Sequence, residues 1–97
     1  MKILKTGTMK DGTDIQIEEW NEDYSFMPYG NTLATYPKSK VSQEGPYAPK
    51  ANERYRFDFE FNSHEEAETA YNELIEGTKT LSDFKNQLRN MKYQDCI

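Results

Sequence analysis

The stretch Glu53–Phe61 constrains this chain more than any other. Tyr55, Phe57, Phe59 and Phe61 alternate with Arg54, Arg56, Asp58 and Glu60. Strict period-two alternation predicts a β-strand with one aromatic and one charged face. The aromatic face must be covered, and the residues that follow are patterned to cover it. Ser63-His64-Glu65-Glu66 reads as a capping box opening a helix. Within that helix Ala67, Ala70, Tyr71, Leu74 and Ile75 fall on one stripe, and Gly77 marks its end. Thr80-Leu81-Ser82-Asp83 reads as a second cap. Leu81, Phe84, Leu88 and Met91 then predict a second amphipathic helix over roughly 81–91.

Upstream, Ile3–Met9 and Ile15–Trp20 flank Lys10-Asp11-Gly12-Thr13-Asp14, a hairpin signal. A two-residue turn on Asp11-Gly12 and a longer turn with Gly12 in a bulge both fit. Ile15 and Ile17 share the face expected to meet the core, with Gln16, Glu18 and Trp20 opposite. Thr32–Tyr36 reads as a third short strand, stopped by Pro37. Residues 37–52 contain three prolines and read as a long loop, a length associated with function or disorder. The expected architecture is α+β: an antiparallel sheet of about four strands with two C-terminal helices on one face.

A chain of 97 residues suits one domain, taken as 1–97. Its 35% hydrophobic content and mean hydropathy of −1.02 lean toward disorder. Seven Tyr, five Phe and one Trp counter that, since each ring can bury roughly 150–250 Å². An ordered domain with an aromatic-rich core is therefore expected. No apolar run approaches a membrane span and the N-terminus lacks a signal-peptide core, so a cytoplasmic protein is expected. The single cysteine excludes an internal disulfide.

Catalytic signatures are missing. The chain has no phosphate-binding glycine loop, nucleophile elbow or zinc-protease motif. His64 stands with Glu68 one turn on and has no second His or Cys nearby. Cys96 lies at the C-terminal end without a histidine partner. Glu18 and Glu19 point to opposite faces of a strand and cannot easily converge for acid–base work. The reading is a protein that is not an enzyme and needs no metal or cofactor.

Charge layout is more informative. The net charge is −5, which argues against binding duplex nucleic acid directly. Residues 11–23 carry six acids and no base, and Glu18, Glu19, Glu22 and Asp23 form an acidic surface suited to a basic partner. The adjoining loop holds Trp20, Tyr24, Phe26 and Tyr29. Phe26 is expected to tuck into the core; left exposed, these aromatics form an interface. Residues 38–56 carry five bases against two acids, and Tyr36, Lys38, Lys40, Tyr47, Lys50, Arg54 and Arg56 interleave base with ring.

Two functions follow as expectations. The first is a non-enzymatic interaction protein that binds and inhibits a larger basic protein, such as one that processes nucleic acid. The chain's size and texture suit an accessory or counter-defence protein of bacteria or their phages. The second is a small-ligand binder that sequesters a nucleotide or nucleotide-like signal through residues 36–56.

Overall fold

A computed structural model of the chain describes residues 2–19, 32–37, 55–89, 94, 96 and 97. Within them lie four strands, β1 (Lys2–Thr8), β2 (Asp14–Glu19), β3 (Thr32–Tyr36) and β4 (Phe57–Glu60). They form one antiparallel sheet in the order β1-β2-β3-β4. Helix α1 (His64–Glu76) and a 3-10 helix (Leu81–Gln87) pack on one face, α1 over β2 and β3 and the 3-10 helix over β4. The expected α+β architecture is the one observed.

Of the two turns compatible with the sequence, the structure has the longer one. Gly12 N–H donates to the Met9 carbonyl at 2.9 Å, and Met9 N–H donates to the Thr13 carbonyl at 2.7 Å. Gly12 has φ 90°. A type I turn closed by a left-handed glycine bulge has this pattern. The Asp11 carboxylate accepts from Thr13 N–H at 2.9 Å and braces the turn. On the other side of the hairpin, Ile3 pairs with Glu18 but Lys5 with Ile17, leaving Leu4 as an extra residue that packs against the core.

Register builds the core in rows. Ile17, Leu33 and Phe59 lie side by side, as do Ile15, Thr35 and Phe57. All six are buried. Ala67, Ala70, Tyr71 and Leu74 of α1 and Leu81, Phe84 and Leu88 lie over them, also buried. The aromatic face of β4 is therefore covered as its alternation requires. Tyr55 is buried with it, while Phe61 is half-buried.

Both helix entrances carry the expected caps. The Ser63 hydroxyl accepts from Glu66 N–H at 3.2 Å. The Glu66 carboxylate reaches back one residue further than a standard capping box, to Asn62 N–H at 3.2 Å. Gly77, at φ 83°, ends α1 and donates to the Glu73 carbonyl. Asp83 accepts from Thr80 N–H at 2.8 Å.

Two expectations are corrected. The strand expected over Glu53–Phe61 is shorter: regular pairing covers Phe57–Glu60, and residues 53 and 54 lie outside the described part. The second amphipathic helix is not α-helical. It is a 3-10 helix kinked at Phe84 that stops at Gln87. Leu88 then bridges to Phe59, and Arg89 N–H donates to the Asp58 carbonyl at 2.7 Å. The free edge of β4 competes for this backbone and wins, because hydrogen-bonding the edge satisfies buried strand groups that a continued helix would leave unpaired. Met91 lies outside the described residues. On the charged face of β4, Asp58 is buried and Glu60 is exposed.

Gly7 on β1 is required by close packing. A Cβ there would collide with the Tyr71 hydroxyl and lie 3.1 Å from Ile75 Cδ1. Tyr71 is itself buried and cannot swing aside freely. Gly7→Ala is expected to destabilise the fold by about 1–3 kcal/mol, read as a lower thermal midpoint. An unchanged or raised midpoint would show that the Tyr71 contact is slack.

Candidate functional site

The far face of the sheet, opposite the helices, brings together residues that the sequence places on separate surfaces. Gln16, Ala34 and Asp58 form one row across β2, β3 and β4, and Glu18, Thr32 and Glu60 form the next. Arg56 stands one position before Phe57, beside Tyr36. Its diagonal route to Glu18 crosses Ala34, which projects only a methyl group. Arg56 Nη1 and Nη2 donate to Glu18 Oε2 and Oε1 at 2.9 and 2.5 Å. Its Nε donates to Asp58 Oδ1 at 2.6 Å, and Nη1 also donates to the Tyr36 hydroxyl at 2.9 Å. Gln16 Nε2 donates to Glu18 Oε2 at 2.5 Å.

Burial opposes the Arg56 charge, but the hydrogen bonds it donates to Glu18 and Asp58 outweigh it and hold the guanidinium protonated beyond the ordinary arginine range. Among the described residues Glu18 and Asp58 both pair with Arg56, and the forked contact to Glu18 matches guanidinium to carboxylate geometry. Glu18 is 0% exposed and Arg56 side-chain exposure is 26%. The cluster is chemically quiet: its guanidinium donors are directed at internal acceptors.

This corrects two expected surfaces. Glu18 does not contribute to a solvated acidic patch, because a carboxylate at that depth must be paired and Arg56 pairs it. Reversing its charge would break a buried ion pair. Arg56 and Tyr36, expected to hold a ligand, hold Glu18 and each other. Glu19, the last residue of β2, is exposed. Trp20, Glu22, Asp23, Tyr24, Phe26, Tyr29, Lys38, Lys40, Tyr47, Lys50 and Arg54 lie outside the described residues. His64 is exposed at the start of α1 with Nε2 3.8 Å from Glu68. Among the described residues no group of three His, Cys, Asp or Glu is placed to hold a metal. None of the described helices is long and apolar enough to cross a membrane.

A groove runs between α1 and the 3-10 helix, with a volume of about 560 Å³. Half-buried Phe61 supplies most of its exposed apolar surface over a floor of Ala70 and Phe84, and Glu65, Glu66 and Glu73 supply its charge. The rings of Phe61 and Phe84 meet edge-on, with centroids 5.8 Å apart. None of the described residues that line it is basic. Glu66 is committed to capping α1, and Glu73 Oε2 lies 3.2 Å from Lys79 Nζ. This groove is not legible along the sequence. Its one linear signal is the stripe Glu66, Thr69/Ala70, Glu73 at helical spacing beside the core stripe. A smaller cavity of about 260 Å³ lies between the β1–β2 turn and the start of the 3-10 helix, among Met9, Asp11, Leu81 and Ile97.

Comparison with protein-family models, curated proteins and solved structures finds no match.

Proposed function

We propose that this protein works by binding rather than by chemistry, and that its partner is a larger protein with a basic docking segment. The observation that carries this reading is the groove beside α1: the half-buried Phe61 ring over a floor of Ala70 and Phe84, flanked by Glu65, Glu66 and Glu73. Apolar surface contributes affinity on burial, while the acidic border selects basic partners and speeds encounter. The net charge of −5 acts in the same direction at longer range. Basic surfaces are typical of proteins that handle nucleic acid, because they must neutralise phosphates. Occupying such a surface would inhibit the partner without any catalytic group in this chain. In the sequence, Glu19, Glu22 and Asp23 add a second acidic run.

Affinity capture from cells that produce the protein tests this reading. Wild-type chain is compared with the double variant Glu65→Lys, Glu73→Lys; Glu66 is left in place because it caps α1. The expected result is a basic protein retained by the wild type, weakened by salt and lost from the variant, with thermal stability nearly unchanged. Identical retention by both would remove the groove from the reading. Retention of no protein by either would remove the reading itself.

A further inference from the structure

We propose that Lys79 is an internal stand-in for a lysine of the partner, held against Glu73 and Phe84 at the border of the groove until that lysine displaces it. The inference rests on the binding reading above and names the chemistry the groove recognises: an ammonium group flanked by an apolar side chain.

The Lys79 ammonium lies 3.2 Å from the Glu73 carboxylate and 5.5 Å from the centre of the Phe84 ring. Both residues line the groove. A carboxylate and an aromatic face at those distances are the two elements that recognise an ammonium. The chain reverses at Gly77, whose left-handed conformation turns it back at the end of α1. Thr78 and Lys79 N–H groups then donate to the Glu73 carbonyl, so Lys79 returns beside Glu73, six positions earlier in the sequence. The ammonium is thus delivered by the helix cap.

The contact is built to be exchanged. The Lys79 side chain is 47% exposed, so water can take its place at little cost. Exposed ion pairs of this kind are weak, and displacing one lowers a partner's affinity by no more than about fivefold. Phe61, half-buried in the same groove, offers an apolar contact to a side chain next to the incoming lysine. Charge complementarity selects this occupant. A second copy of the chain would carry −5 to an acidic groove, and a nucleic acid would bring phosphates.

The test is a nitrogen-15 NMR titration of the full chain with a capped peptide of equal numbers of lysine and leucine. A peptide with glutamate in place of lysine serves as control. The lysine peptide is expected to shift the amides of Thr69, Ala70, Glu73, Phe84 and Gln87, and the glutamate peptide to shift none of them. Lys79→Gln should tighten binding about two- to fivefold by opening the site. Lys2→Gln removes the same charge from the far end of β1 and should leave affinity unchanged. Glu73→Gln should weaken binding. Equal tightening by Lys79→Gln and Lys2→Gln would mean a general charge effect and overturn the proposal, as would unchanged or weaker binding by Lys79→Gln. If no groove amide moves while the capture experiment still separates wild type from the charge-reversed variant, the stand-in role fails and the binding reading stands. Spectra of the free variants must keep wild-type dispersion; if Lys79→Gln loses it, Lys79 is a structural residue and the proposal is overturned.

Discussion

Phe59→Ala is expected to unfold the protein at room temperature or leave it barely folded. Phe59 is 0% exposed and lies in the row Ile17-Leu33-Phe59. It packs edge-on against Phe57, with ring centroids 6.5 Å apart, and its backbone bridges to Leu88. Truncating a buried phenylalanine costs about 3–5 kcal/mol, because the transfer energy is lost and a cavity remains. Stabilities of whole domains are only about 5–15 kcal/mol, and a chain this short belongs at the low end. Glu60→Ala, one residue further along the strand, should change stability by less than about 0.5 kcal/mol, since Glu60 is exposed. Thermal and urea melts followed by circular dichroism read both values. Similar losses for the two variants would mean that the faces of β4 are assigned the wrong way round.

Arg56→Met should cost about as much, roughly 3–5 kcal/mol, for a different reason. The methionine fills similar volume, so packing is largely kept. What it leaves behind is Glu18, fully buried, and Asp58, nearly so, without the cation between them. An uncompensated buried charge is the costly part, more than the lost attraction. Adding Glu18→Leu should therefore recover a large share of the loss, with a coupling of about 0.5–3 kcal/mol between the two sites. Simple additivity would show that the ion pair is not what Arg56 contributes. Salt separates this pair from the groove: a buried pair is screened little, so 1 M salt should barely change the cost of Arg56→Met while sharply weakening partner capture.

The parts of the fold legible in the sequence are those decided within a few residues. The caps at Ser63 and Thr80, the stop at Gly77 and the turn glycine at Gly12 depend on local backbone chemistry, and each is where its motif stands. Alternation determined which side of β4 faces the helices, because a slip of one position would exchange Phe57 and Phe59 for Asp58 and Glu60. Tertiary structure decided what depends on neighbours distant in sequence. Amphipathic spacing at Leu81, Phe84 and Leu88 sends all three to the core but cannot say that the edge of β4 will draw Leu88 and Arg89 out of the helix. Nor can linear charge counting find that Glu18 and Arg56, 38 positions apart, cancel across β3. The groove was hidden for the same reason: Glu73 and Phe84 are eleven positions apart, and only the packing of α1 beside the 3-10 helix brings them to one groove.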